Sequence, residues 1–248
     1  MKMAEANYLV IVGSGNLAKV FAEKVEDFAQ KEYQLKLHPI SFDGSLPVKN
    51  SSSIKTLKDL PLKHSLFLHL GSGRQLDEAL KFCDVNKIPF IQASSGQTVN
   101  LSSPIYFPYI EAPNLSLPII KLLWLLNKKP GLFKNSTISI EESHQSSKTT
   151  VPATAQKFAD LLKSSKENIK SIRDPKIQSQ DWKIPEKFLD GHAMHRISIQ
   201  GQGAEIFLET KIFGRETYLF GVLEILSIKS KLEPKKYSIE DLLGSHLL

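Results

Sequence analysis

Between Ile138 and Phe158 the chain reads ISIEESHQSSKTTVPATAQKF, and within it His144, Lys148 and Pro152 have the types and spacing to do chemistry. A histidine exchanges protons near neutral pH, and a lysine four residues on supplies fixed positive charge. A proline opening a helix-like run leaves free backbone amides, which favour a carboxylate or phosphate. Ile138 and Ile140 alternate with polar neighbours ahead of His144, so the segment reads as a strand delivering a titratable pair to the mouth of a helix. That is an anion-binding catalytic corner.

A second constellation lies near the N-terminus. Residues 8–12, YLVIV, are continuously apolar and β-branched, as in a strand buried on both faces of a parallel sheet. Gly13-Ser14-Gly15-Asn16-Leu17-Ala18 follows at once, and Leu17, Val20, Phe21, Val25 and Phe28 then repeat at helical spacing. Strand, G-x-G-x-x-A and helix stand in the order a dinucleotide fold needs. The first glycine makes the tight turn, the second lets the backbone approach a pyrophosphate, and the small third residue lets helix and strand pack closely. Asp43 ends the next strand, residues 35–42, where an acidic residue accepts hydrogen bonds from an adenine ribose; a turn-forming role before Gly44 is the alternative. No arginine follows it to meet a 2′-phosphate, so the reading is NADH or NADPH with a lean to NADH. Two further strands, 65–70 and 89–93, end at Gly71-Ser72-Gly73 and Ser94-Ser95-Gly96, which places Gly71, Ser94 and Ser95 beside the cofactor.

The elements that must position these groups fall into two sets. Strands alternating with helices over the first 115 residues predict a Rossmann-type parallel sheet. Prolines at 104, 108, 113 and 118 mark a crossing, and the segment IIKLLWLLNKK after Pro118 predicts a helix apolar on nearly every face and therefore buried. Residues 192–200 and 204–213 alternate around Gly201 and Gly203 as an antiparallel hairpin. Residues 170–187 read as a polar loop with two prolines, 218–230 as an amphipathic helix, and 237–243 as a terminal turn or short helix. The fold class is thus α/β, with a second α+β domain carrying a mixed or antiparallel sheet. The boundaries fall at 1–115 plus 216–248 for dinucleotide binding and 116–215 for substrate binding and oligomerisation.

Composition narrows the partners. The formal charge of +6 is spread along the chain without a basic stripe, which speaks against nucleic acid and suits a small anionic ligand. The one cysteine, Cys83, cannot close an internal disulfide, and the apolar runs are too short for a signal-peptide core or a membrane span, so a cytoplasmic location is expected. His192 and His195 lack further partners at metal-ligand spacing, and no metal is expected.

Taken together, VGSGNLA at 12–18, EAPNLSL at 111–117, EESHQSSKTTVPATA at 141–155 and GHAMHRISIQGQGAEIFLETKIFGR at 191–215 resemble the dihydrodipicolinate reductase family, also called 4-hydroxy-tetrahydrodipicolinate reductase. The ending YSIEDLL at 237–243 is similar too. The resemblance implies reduction of a cyclic dicarboxylate by a nicotinamide dinucleotide in the diaminopimelate route to lysine, within a homotetramer. It implies His144 as acid/base and Lys148 as the group that binds substrate and stabilises developing charge. Gln145, Ala153, Thr154 and Arg215 fall at substrate-binding positions, and Gly13, Gly15 and Ala18 at the dinucleotide turn. The chain departs from the family pattern where Gln145 replaces a second histidine, PATA replaces Pro-Ser-Gly-Thr-Ala, Asn16 replaces an arginine and Pro118 replaces a glycine. The alternatives are a same-fold reductase of another small anionic substrate and a non-catalytic dinucleotide-binding protein.

Overall fold

The structure is a computed structural model that describes residues 7–21, 23–24, 35–41, 52–53, 62–94, 99, 101, 104–149 and 151–248. Two compact units divide it: residues 1–117 with 218–248, and residues 118–217.

The first unit is built on a seven-stranded sheet. In chain order its elements are β1 (Asn7–Val12), α1 (described residues 16–21 and 23–24), β2 (Leu35–Ser41), β3 (Ser52–Ser53), β4 (Ser65–His69), α2 (Leu76–Asn86), β5 (Phe90–Gln92) and β6 (Tyr109–Glu111). The strand order is β3-β2-β1-β4-β5-β6, with a later strand beyond β6, and every neighbouring pair is parallel. Leu9, Val10, Ile11 and Val12 are buried, as are Leu66, Phe67 and Leu68, which is why these strands read as unbroken apolar runs. One core layer joins Val10, Val12 and Phe67 to Leu80, Cys83, Phe90 and Tyr109. Burial pushes the Cys83 thiol well above its ordinary range.

The second unit holds α3 (Leu117–Asn127), β7 (Thr137–His144), α4 (Ala153–Leu162), β8 (Ile169–Ile172), α5 (Pro175–Gln180), β9 (His192–Gly201) and β10 (Ala204–Phe213). Its four strands run β10-β9-β7-β8, antiparallel except for the β7–β8 pair, so the sheet is mixed. The alternation of β7 turns Ile140, Glu142 and His144 to one face, where Phe158 of α4 lies against His195 of β9 with ring centroids 5.7 Å apart. The other face carries Met194 and Ile172, clustered with Trp182 and Ile184. The chain then returns to the first unit through α6 (Glu216–Ile228), β11 (Lys236–Ser238) and α7 (Ile239–Gly244), with β11 paired to β6.

Two sequence expectations need correction. Residues 170–187 are not a polar loop: they include β8 and α5, and they bury Gln178, Trp182 and Ile184. Their apolar residues are too few and too widely spaced to show a period, yet Pro175 sits inside the first turn of α5 behind Asp174, whose side chain accepts from the amide of Lys176. The helix α3 is not buried all round, since Ile119, Ile120 and Leu123 are covered while Leu125 is 62% exposed. The short helix expected within 237–243 is α7, which β11 precedes, and Ser238 with Asp241 makes a reciprocal capping box at its start. Among the described residues no helix is long and apolar enough to cross a membrane.

Candidate functional site

In the first unit, the order of strands reverses between β1 and β4, the crevice where ligands bind in open parallel sheets. The turn after β1 and the turn after β4 lie side by side there. Gly13 has φ +140°, and a Cβ on it would stand 2.8 Å from the Leu70 carbonyl carbon and 2.9 Å from the Gly71 amide nitrogen. Only glycine fits. By contrast a Cβ on Gly15 would meet nothing within 4 Å among the described residues. Ser14 and Leu17 are partly exposed beside it, Asn16 is exposed, and Ala18 is buried against the sheet. These residues could hold a pyrophosphate, with no side chain on Gly15 in its way.

His69, at the end of β4, ties the neighbouring loops together. Its Nε2 donates to the carbonyl of Arg74 at 2.7 Å, which leaves Nδ1 to accept from the hydroxyl of Ser94 at 3.0 Å. Burial lowers its pKa and keeps it neutral. Arg74 and Ser94 are therefore drawn to one histidine, a residue that sequence reading passed over because SLFLHL scans as a plain apolar strand. Asp43 and Ser95 lie outside the described residues.

In the second unit, His144 ends β7 and its Nδ1 donates to Glu142 Oε2 at 2.8 Å. Glu142 is fully buried and also accepts from Arg173, Nη2 to Oε1 at 2.6 Å and Nη1 to Oε2 at 3.1 Å. Burial alone would raise this carboxyl, but hydrogen bonds from His144, Arg173 and Ser171, with the arginine's charge, hold it at about 2, down from 4.5. Register places Thr210, His195, Glu142 and Ser171 in one row across all four strands. His195 Nδ1 meets the Thr210 hydroxyl at 2.8 Å and its ring stands edge-on to His144. Burial first, and the neighbouring His144 second, push the His195 pKa down to about 4. Its Nε2 and the Oε1 of Gln178 have no hydrogen-bond partner among the described residues. On the opposite face His192 Nδ1 donates to the Phe188 and Leu189 carbonyls, so its Nε2 accepts from Ser143 at 2.9 Å.

The backbone beyond His144 is equally tethered. Gln178 Nε2 donates to the His144 carbonyl at 2.7 Å, and the amide of Lys148 closes a turn on the carbonyl of Gln145 at 3.0 Å. Arg173 Nε donates to the Lys148 carbonyl at 2.9 Å, while the Lys148 ammonium has no partner among the described residues. The chain then enters α4 at Ala153. Pro152 is its extended N-cap and supplies no side-chain cap, so the first-turn amides at Ala153 and Thr154 are unoccupied by a capping group. Arg215 follows β10; register puts that end of β10 level with His144, two strands or about 10 Å away across the sheet. His144, Gln145, Lys148, Ala153 and Thr154 thus share one strand-turn-helix, with Arg215 at the same sheet end.

Glu142 and Arg173 are the residues that sequence reading missed. The signal for Glu142 was the alternation Ile138, Ile140, Glu142, His144, which puts a carboxylate on the inward face beside the histidine. Arg173 gave no signal of its own. Among the described residues no group of three or more His, Cys, Asp or Glu side chains could hold a metal ion.

A parallel sheet with a glycine turn at its switch point is thus joined in one chain to a mixed four-stranded sheet. Dipicolinate-bound dihydrodipicolinate reductase from Paenisporosarcina sp. TG-14 has this fold, with a TM-score of 0.65 at 16% identity over 96% of this chain and 100% of that one. No family model matches the sequence. The chain is 26% identical over 179 residues to 4-hydroxy-tetrahydrodipicolinate reductase 2, chloroplastic, of Arabidopsis thaliana, covering 63% of this chain and 50% of that protein. It is 25% identical over 205 residues to the 4-hydroxy-tetrahydrodipicolinate reductase of Campylobacter jejuni subsp. jejuni serotype O:6, covering 76% and 84%. The chain spans about half the length of the plant relatives it matches. Its sequence is thus similar, at 25–26% identity, to proteins named 4-hydroxy-tetrahydrodipicolinate reductase.

Proposed function

We infer that the protein catalyses the NADH- or NADPH-dependent reduction of 4-hydroxy-tetrahydrodipicolinate to tetrahydrodipicolinate. The observation that carries this reading is the His144 ring, bonded through Nδ1 to a buried carboxylate, one turn from Lys148 and from the uncapped start of α4. With Nδ1 engaged, Nε2 is the atom of His144 that can hold or deliver a proton. The Lys148 ammonium offsets negative charge developing on the substrate, and the amides of Ala153 and Thr154 seat one of its carboxylates. Gln145 donates a neutral hydrogen bond to substrate, and Arg215 supplies a second positive charge. The turn of Gly13 to Leu17, with Gly71 and Ser94, holds the dinucleotide, whose reduced nicotinamide supplies the hydride when bound. Asn16 offers no charge to a 2′-phosphate, which favours NADH.

The test mixes the protein with substrate generated freshly by the preceding synthase and with either reduced cofactor, and follows loss of cofactor absorbance. Turnover is expected with both, faster with NADH. No turnover with either, under conditions where a known reductase works, would overturn the assignment. Gln145 favours one second reading, a reductase of a related anion with fewer carboxylates; turnover of such an acid, with none of the dipicolinate-derived substrate, would establish it.

A further inference from the structure

We propose that Arg173 is the positioning residue for both His144 and Lys148, a role that rests on the reading of that pair given above. Its planar guanidinium offers five N–H donors in a fixed fork, and the structure uses every nitrogen. Nη2 and Nη1 grip the two oxygens of Glu142, Nη1 also donates to the Ile172 carbonyl at 2.9 Å, and Nε donates to the Lys148 carbonyl. Glu142 passes the constraint on. Held on one side by Arg173, its Oε2 accepts from His144 Nδ1 on the other, which fixes the ring's orientation and keeps a proton on Nδ1.

One rigid plane therefore sets two things at once: the tautomer of the proton-handling ring, and the position of the turn that carries the lysine. A Lys at 173 could still neutralise Glu142 but could not also reach along the Nε direction to the turn, because an ammonium is a single point of three donors. The geometry follows from the fold. Ser143 pairs with Ile172 in the parallel β7–β8 register, so the next residues, His144 and Arg173, leave the sheet side by side.

The experiment compares the full-length protein with Arg173→Ala and Arg173→Lys by ¹⁵N NMR of the histidine rings and by steady-state kinetics. The His144 signals are assigned by their loss in His144→Ala. Unfolding curves show which variants remain folded, and Arg173→Lys carries the test if Arg173→Ala does not. In Arg173→Ala the His144 ring is expected to populate both tautomers, and kcat to fall about 10²-fold, as for a misplacement of roughly 1 Å, while KM for the reduced cofactor changes less than about twofold. Arg173→Lys is expected to keep the tautomer and lose about tenfold in kcat through the freed Lys148 turn. Adding Arg173→Ala to His144→Ala should cost only about the tenfold that belongs to the freed Lys148 turn, well short of the product of the two single losses, because residues acting through one another are not additive.

Retention of a single His144 tautomer in Arg173→Ala would overturn the role, as would fully multiplicative loss in the double variant. If Arg173→Lys alone folds, an unchanged kcat overturns it. A wild-type protein that turns over no substrate would instead remove the functional reading, and the ring tautomers would still decide whether Arg173 holds His144.

Discussion

At the scale of single residues, acid should unfold the second unit through its buried titratable groups, His195 and Glu142 foremost. The folded His195 pKa is depressed to about 4 from 6.5, so burial keeps the ring neutral while the unfolded chain takes up a proton. Its contribution to stability is present above about pH 6.5 and is lost as pH falls towards 4. Glu142 is depressed to about 2 from 4.5, so its contribution, on the order of 3 kcal/mol, is present above about pH 4.5 and is lost towards pH 2. Both tryptophans, Trp124 and Trp182, belong to this unit, so emission during urea unfolding reads it selectively. Stability should decline in two limbs, with His195→Gln shrinking the upper one, to which the buried His192 also contributes; an unchanged upper limb would contradict the burial argument. Glu142→Gln should flatten the lower limb and, by stranding Arg173, cost about 3–5 kcal/mol at neutral pH. His144→Ala should lower turnover about 10²–10⁴-fold while cofactor binding, followed by fluorescence titration, is unchanged. His144 and Lys148 were legible as candidates because their chemistry is carried by residue type and close spacing. Glu142 and Arg173 were not, because a charge is expected at the surface until the partner that lets it be buried is known, and that partner sits 31 residues away in sequence.

At the scale of elements, close approach of backbones sets the sharpest limits. Gly221 lies in α6, and a Cβ there would stand 2.1 Å from the carbonyl oxygen of Leu115, a backbone atom with no rotamer to escape into. Gly221→Ala should therefore destabilise the first unit by about 3 kcal/mol, the upper end for overpacking, although alanine is the better helix former. Thermal unfolding followed by far-UV circular dichroism checks this, and a rise in stability would show that α6 can shift. The buried parallel strands were readable because both faces are covered and the apolar run is continuous, as in residues 8–12 and 65–70. The hairpin of β9 and β10 was readable from its glycines and alternation. What escaped were elements too short to carry a period: β8 with four residues, α5 with six and β11 with three. Each is held by tertiary partners, such as Gln178 bridging the carbonyls of His144 and Ile172, and no local pattern encodes those.

At the scale of the molecule, the first unit is discontinuous, since the chain leaves it after Leu117 and returns at Tyr218. Its sheet is completed by β11, whose residues Lys236, Tyr237 and Ser238 pair with Tyr109, Ile110 and Glu111, and Lys236 adds an ion pair to Glu111 at 2.6 Å. Tyr237, Ile239, Leu242 and Leu243 are all buried there. Each such side chain contributes about 1.5–3 kcal/mol on burial, an upper estimate because the unfolded chain already hides part of it. Four together approach the whole stability of an ordinary domain, about 5–15 kcal/mol. Ending the chain after Glu233 should therefore abolish cooperative folding of the first unit and, with it, binding of the reduced cofactor. The second unit keeps all four of its strands and the complete Arg173, Glu142 and His144 set in that truncation, so native tryptophan emission should persist. Limited proteolysis should cut first within residues 1–117 and spare 118–217. Cofactor binding by the truncated chain would show instead that the six strands from β3 to β6 hold the dinucleotide turn without the returning segment.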